Sequence, residues 1–331
     1  MASQTYRDKG LYVAPMMAWT DRHCRMLHRQ FTQRATLFTE MVTTGALLQG
    51  GQWHQLDHNA KEHPLVLQLG GSDPAALAQC AERAKEYGYC EVNLNIGCPS
   101  ERVQRGTFGA CLMREPALVA QCVTAMSQAV DLPITVKCRL GVDEHDTDEL
   151  LEAFISQVSA AGCEKFYIHA RKAILGGLSP AQNRSIPPLQ PERVRRVKER
   201  HPHLNIVLNG GITTVEHALE HLQWADGVML GRAAYQQPAI LSAMENALEP
   251  TLPAEPRRSI YAILLAYRHY MSEELNTGTR LHSLTRHVLT VCNGYPGARQ
   301  FRRILSDQQR LKKNDLSVFD EALACVFAEA A

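Results

Sequence analysis

The sequence predicts an α/β chain: a (β/α)8 TIM barrel followed by a small all-α helical domain. Three observations predict it. Eight short apolar runs alternate with amphipathic stretches over roughly the first 240 residues. Most of these runs are continuously apolar, as in strands covered on both faces. Past a proline-rich break, no further strand signal occurs. Regular strand–helix alternation implies parallel pairing through right-handed crossovers. Eight such units suit a closed barrel. An open doubly wound sheet is the competing arrangement. No Gly-x-Gly-x-x-Gly turn follows the first run, so a Rossmann nucleotide site is not expected.

The elements follow in order. Strands are expected at Leu11–Ala14, Thr36–Thr39, Leu65–Leu69, Glu91–Leu94, Ile134–Lys137, Lys165–His169, Ile206–Asn209 and Gly227–Leu230. Helices are expected at Pro74–Tyr87, Glu115–Ala129, Asp148–Ala161 and Val215–Leu222. Ser72-Asp73-Pro74 places a capping side chain before a first-turn proline. Gly88 and Gly162 stand where helices should stop. Between Glu249 and Pro256 the prolines Pro250, Pro253 and Pro256 make a stiff linker. The expected domains are therefore 1–248 and 256–331. In the second, Ser259–Leu275, Leu281–Cys292, Gly297–Leu305 and Val318–Ala330 read as helices.

Composition narrows the function classes. No run of about 18 apolar residues occurs, so no transmembrane helix is expected. Met1–Gly10 is polar and of mixed charge, unlike a signal or transit peptide. The ten cysteines are scattered, and no Cys-x-x-Cys pair occurs. That disfavours a zinc or thioredoxin-like site and suits a reducing cytoplasm; no metal is expected. The net charge of +1 is unevenly spread. From Arg257 to Lys313 there are 11 Lys and Arg against only Glu273, Glu274 and Asp307. A near-neutral body thus carries a basic tail region, more one-sided than an ordinary solvated face, which could meet a polyanionic partner or serve solubility alone.

In a barrel of this kind, reactive groups lie at the C-terminal ends of the strands. Strand one delivers Ala14-Pro15-Met16, strand two Thr39-Glu40-Met41 and strand three Gln68. Strand four delivers Asn95 and then Cys98, in a Gly97-Cys98-Pro99 turn. Strand five delivers Lys137 and Arg139, and strand six His169, Arg171 and Lys172. Strands seven and eight end in Asn209-Gly210-Gly211 and Gly231-Arg232. Glycines there let backbone N–H groups approach an anion closely, and these two loops form the usual barrel phosphate site. Arg232 adds a fork-shaped cation. Gln68, Lys137 and His169 put polar groups on an otherwise apolar rim. A heteroaromatic ring with a polyol and a phosphate, as in FMN, satisfies the whole set. Lys137 alone could instead form a Schiff base, and His169 alone could be structural. A thiol at the lip of a strand can reach a bound substrate, whereas most buried thiols are inert. Cys111 competes with Cys98, but its neighbours suggest packing.

Taken together, Val13-Ala14-Pro15-Met16, Thr39-Glu40-Met41, Asn93-Leu94-Asn95-Ile96-Gly97-Cys98-Pro99, Val136-Lys137, His169-Ala170-Arg171, Asn209-Gly210-Gly211 and Gly231-Arg232 resemble the tRNA-dihydrouridine synthases. The ordered match spans nearly the whole chain. Asn183-Arg184-x-Ile186-Pro187-Pro188-Leu189 and Thr285-Arg286-His287, with the later Arg299-x-x-Arg302-Arg303, resemble the A subfamily, which acts on D-loop uridines 20 and 20a.

The resemblance implies reduction of the uracil 5,6 double bond, with NADPH as electron donor through FMN. It implies Cys98 as the general acid. Ala14, Pro15, Met16, Gln68, Lys137, His169, Asn209, Gly210, Gly211, Gly231 and Arg232 would bind the cofactor. Asn95, Arg184, Arg299 and Arg302 would touch tRNA at its elbow. Single-chain action is expected. A small-molecule flavoenzyme of the dihydroorotate type would share the barrel but leaves the basic tail unexplained. A non-catalytic RNA-binding protein on a relic barrel is the other alternative.

Overall fold

A computed structural model describes residues 8–249 and 258–327. The expected linker at 249–256, apart from Glu249, lies outside the described residues, as does the end of the last expected helix. The described chain divides into two compact units. One comprises 8–17 and 35–231. The other takes in 18–34 and everything from Arg232 onward.

The first unit holds eight strands: β1 (Gly10–Val13), β2 (Leu37–Thr43), β3 (Leu65–Gly70), β4 (Glu91–Ile96), β5 (Ile134–Arg139), β6 (Lys165–His169), β7 (Asn205–Asn209) and β8 (Gly227–Leu230). All pair in parallel, in the order β1-β8-β7-β6-β5-β4-β3-β2. A parallel bridge between Tyr12 and Thr36 joins the two ends, with Val13 N–H donating to the Thr36 carbonyl at 3.0 Å. The sheet therefore closes into the barrel.

Four strands run further than their apolar runs suggest, β3 by Gly70 alone. β4 and β5 each continue two residues, because Asn95 pairs with Lys137 and Ile96 with Cys138 in the same ladder. Their polar side chains alternate on the inner face while the backbone pairing goes on. Asn95 thus lies within a strand rather than beyond its end. β2 extends to Thr43 across a register shift between Phe38 and Met41, so Glu40 and Met41 are strand residues too.

The helices of this unit are α2 (Thr44–Leu48), α3 (Pro74–Glu86), α4 (Glu101–Arg105), α5 (Pro116–Ala129), α6 (Asp148–Ala160), α7 (Pro191–Arg200) and α8 (Val215–Leu222); α1 (Arg22–Arg29) belongs to the other. Asp73 caps α3 by accepting from Ala76 N–H, and Pro74 stands at its first position. Inside the barrel, Tyr12, Ala14, Phe38, Val66, Tyr167, Val207 and Met229 form one buried cluster. The rings of Tyr12 and Phe38 meet Tyr167 edge-on at 5.0 and 5.1 Å.

The second unit is helical: α1, then α9 (Arg232–Gln236), α10 (Ala239–Leu248), α11 (Ile260–Asn276), α12 (Leu281–Thr285), α13 (Ala298–Leu305), α14 (Gln308–Leu311) and α15 (Ser317–Phe327). The barrel unit ends at Gly231. Within the helical unit, Ser242 of α10 donates to the Phe31 carbonyl, and the phenol of Tyr270 bonds Nδ1 of His23 at 2.8 Å. The expected helix Leu281–Cys292 stops at Thr285. A series of i→i+3 turns carries the chain on to Tyr295, through β-branched Val288, Thr290 and Val291 and then Asn293-Gly294.

Asp21 organises the start of α1. Its carboxylate accepts from the N–H groups of His23 and Cys24 and lies 3.0 Å from Nε2 of buried His287. Burial opposes its charge, but His287 and the Cys24 N–H outweigh that and lower its pKa to about 2. A lowered carboxylate adds stability above its unfolded value of 3.8, and this is lost as pH falls through 2. Asp21→Ala should cost about 2 kcal/mol at pH 7. Urea unfolding at pH 7 and pH 3 should show the gap from wild type narrowing at the lower pH.

Candidate active site

The inner face of the barrel is read off by alternation along each strand. On β4 it carries Glu91, Asn93 and Asn95; on β5 Thr135, Lys137 and Arg139; on β6 Lys165, Tyr167 and His169. The ladder sets Asn95 beside Lys137, Arg139 beside His169, and His169 beside Asn209. These side chains therefore meet at the C-terminal mouth.

Cys98 stands just past β4 and is half-buried. Its turn is held from three sides. The Asn95 Oδ1 accepts from Gly97 N–H at 3.1 Å and Cys98 N–H at 2.9 Å. The Cys98 carbonyl accepts from Ala110 N–H at 2.9 Å. Arg139 Nε donates to the Gly97 carbonyl at 2.9 Å. Gly109 is needed for this packing: its φ is +75°, and a Cβ there would come within 2.7 Å of the Cys98 carbonyl oxygen. The Cys98 thiol donates to the Ser100 hydroxyl at 3.6 Å. Cys111, the competitor, donates its thiol to the Phe108 carbonyl at 3.1 Å, and burial raises its pKa.

Lys137 Nζ donates to Asn209 Oδ1 at 2.9 Å, and Asn209 Nδ2 donates to the Met229 carbonyl at 2.8 Å. A neutral amide is a poor counterpart for an ammonium. Burial first, and the nearby Arg139 cation second, lower the Lys137 pKa to about 8. His169 is held neutral: burial, then Arg139, Lys137 and Arg171, push its pKa well below the usual value. Its Nδ1 is buried with no hydrogen-bond partner. Buried polar atoms are nearly always satisfied, so this nitrogen suits a polar group of a bound cofactor.

The glycines divide into two kinds. Gly210 and Gly211 have φ of +106° and +74°, and a Cβ at Gly211 would strike Leu189 at 2.3 Å. Local backbone and packing account for them. Gly231 has an ordinary φ, and its Cβ would meet only the Met16 Sδ, at 3.9 Å. Nothing within the unit requires glycine there, as in a cradle open to a ligand. Ala14 N–H donates to the Leu230 carbonyl at 2.8 Å, which sets the end of β1 beside the end of β8. Arg232 is exposed, opens α9 and belongs to the helical unit.

Arg184 is exposed on the loop after β6, and its charge reaches His169 and Arg139. In the helical unit, Arg299 is exposed and Arg302 donates to Asn293 Oδ1 at 2.5 Å. Part of the basic excess is neutralised there, since Arg268 pairs with Asp320 and Arg310 with Glu321.

Arg139 has a role that sequence reasoning did not assign. It is buried, and besides Gly97 it donates to the carbonyls of Lys172 (3.1 Å) and Asn183 (2.9 Å). It thus clamps the loops after β4 and β6 together. Asn183 is fully buried and ties its own loop through bonds to the N–H and the carbonyl of Ile174, both at 2.8 Å. Alternation from Lys137 places Arg139 inward; its three carbonyl partners are long-range and leave no local trace.

The family described as "Dihydrouridine synthase (Dus)" has a model that matches residues 12–329. This chain belongs to that family. The family is flavin-dependent. Relatives named tRNA-dihydrouridine(20/20a) synthase are similar over most of their length. The one from Xanthomonas axonopodis pv. citri (strain 306) is 54% identical over 90% of this chain and 88% of its own. That from Escherichia coli (strain K12) is 51% identical over 95% of this chain and 90% of its own. That from Pasteurella multocida (strain Pm70) is 50% identical over 95% of each.

Three observations fit a phosphorylated flavin at this mouth: the orphaned His169 Nδ1, the poorly matched Lys137 cation, and the open space at Gly231. The first two suit a polar ring edge that turns anionic on reduction. The third suits a phosphate on backbone N–H groups.

Proposed function

We propose that this protein reduces the 5,6 double bond of uridine in tRNA to 5,6-dihydrouridine, at D-loop positions 20 and 20a. FMN would be the cofactor and NADPH the electron donor. Identity above half to proteins of that name, over nine-tenths of the chain, carries this reading. The geometry supports roles for the side chains.

Gln68, Lys137 and His169 would hold the flavin ring. Ala14, Pro15 and Met16 would line it, and Asn209 would keep Lys137 in place. Gly210, Gly211 and Gly231 would offer N–H groups to the phosphate, with Arg232, next in the chain, as counter-charge. When bound, FMN supplies the hydride that reaches C6 of the uracil. Cys98 then breaks its S–H bond to protonate C5. Lys137 and Arg139, with which Cys98 interacts electrostatically, would face the thiolate left behind. Solvent restores its proton, with Ser100 as the nearest polar partner.

A uridine in the tRNA elbow must leave its stack to reach a barrel mouth, at a cost of a few kcal/mol. Asn95 would read its edge. Contacts to phosphate offset the cost; Arg184 in the barrel unit and Arg299 and Arg302 on the helical unit are the candidates. Affinity for tRNA should then fall by about tenfold or more between 50 and 200 mM salt. Arg299→Ala should lower the slope of log affinity against log salt by about one. Filter binding across a salt series measures both, and a flat dependence would remove the basic tail from the argument.

No helix among the described residues is long and apolar enough to cross a membrane. Ten free thiols suit a reducing compartment, and the cytoplasm is the proposed location. The test of function is anaerobic: reduced holoenzyme is mixed with unmodified tRNA or with free uridine, and flavin reoxidation is followed. Reoxidation by tRNA alone is expected. Reoxidation by free pyrimidine at the same rate would favour a small-molecule flavoenzyme.

A further inference from the structure

Five inward side chains of β3, β4 and β5 form one unbroken chain of hydrogen bonds across the barrel. Asn95 Nδ2 donates to Gln68 Oε1 at 2.8 Å. Gln68 Nε2 donates to Asn93 Oδ1 at 2.8 Å, and Asn93 Nδ2 to Thr135 Oγ1 at 2.9 Å. The Thr135 hydroxyl donates to Glu91 Oε1 at 2.7 Å. Glu91 also accepts from the Tyr167 hydroxyl at 2.9 Å and from Lys165 Nζ at 2.8 Å. Glu91, Asn93, Gln68 and Asn95 are all buried.

The direction of this chain is set at both ends. At the mouth, the Gly97 and Cys98 amides can only donate, so Asn95 must turn its oxygen to them. At the far end, a carboxylate facing a lysine can only accept. That turns the Thr135 proton toward Glu91 and leaves its lone pair for Asn93. Each amide in between has one orientation left. The ends lie four residues apart on β4, about 13 Å at strand rise.

We infer that Glu91 is a positioning residue: an acceptor-only anchor at the N-terminal end of β4 that fixes the direction of the amide chain holding the Cys98 turn. A second consequence concerns specificity. With its oxygen already accepting from two amides, Asn95 has only N–H left to offer at the mouth. A donor-only edge suits a pyrimidine bearing carbonyls, as uracil does, and disfavours the amino group of cytosine. This rests on the proposed uridine reduction and adds the device that orients the reader of the base.

Thr135 is the link to cut, because valine has its shape without its hydroxyl and serine keeps the hydroxyl. Two readouts are compared in flavin-loaded Thr135→Val, Thr135→Ser and wild-type protein. The first is hydrogen exchange at the Gly97 and Cys98 amides; the second is single-turnover reduction of tRNA uridine. Thr135→Val should exchange these amides about tenfold faster and reduce uridine about tenfold more slowly, with tRNA affinity unchanged. Thr135→Ser should stay within about twofold of wild type in both. Wild-type exchange in Thr135→Val would overturn the proposal, as would equal losses in the two variants, which would indicate packing alone. If wild-type protein reduces no tRNA uridine, the functional reading fails, and the exchange readout still decides the role of Glu91.

Discussion

Cys98→Ala is expected to lower uridine reduction by about 10²–10⁴-fold, the range that a positioned general acid contributes. The loss should be confined to one half-reaction. Flavin content, flavin reduction by NADPH and tRNA affinity should stay as in wild type, because the thiol makes no bond that holds a loop. The turn is held through backbone groups, by Asn95, Ala110 and Arg139, and none of these bonds uses the sulfur. Cys111→Ala is the control; its thiol is spent on the Phe108 carbonyl and should be dispensable for turnover. Rapid mixing of reduced enzyme with tRNA reads the step directly. An unchanged rate in Cys98→Ala would take the thiol out of the reaction.

Lys137→Met is expected to act in opposite directions on stability and on cofactor binding. In the apo barrel the ammonium has one neutral partner, and burial lowers its pKa from 10.5 to about 8. The unfolded chain therefore binds more protons than the folded one between those values, and stability from this group rises with pH there. At neutral pH the buried charge costs about 1–3 kcal/mol, after allowance for the part of the side chain that solvent reaches. Methionine removes that cost, so the apo variant should unfold at a higher denaturant concentration at pH 7. It should also lose the rise in stability between pH 8 and 10. Flavin affinity should fall about 10- to 100-fold, as for a lost hydrogen bond to a charged group. Denaturation of apo-protein and flavin titration separate the two effects. A Met variant that is less stable and binds flavin normally would show the lysine to be structural.

Much of this site is legible because strand geometry is simple. A (β/α)8 chain puts strand ends at one mouth, so Gln68, Lys137, His169, Asn209 and Gly231 can be gathered from eight runs without a contact being known. Strand length is less legible. Asn95 and Arg139 break their apolar runs, yet both stay in the ladder, since pairing uses the backbone and tolerates polar side chains that face inward. Glu91 and Asn93 are similar: in sequence they look like the wet side of a strand, and in the barrel they are buried on Lys165, Tyr167, Thr135 and Gln68. The helix after Leu281 fails for a local reason, where β-branched residues and Asn-Gly leave i→i+3 turns in its place.

By itself, the order of residues determined the alternation of strand and helix, the basic character of the C-terminal region and the chemical groups delivered to the barrel mouth. These depend on periodicity, net charge and covalent order, which need no long-range contact. Only the tertiary structure decided where the helical unit begins, which loops Arg139 clamps and which way each buried amide faces. Those depend on partners tens of residues away in the chain, and on a carboxylate and backbone N–H groups that can each play only one part in a hydrogen bond.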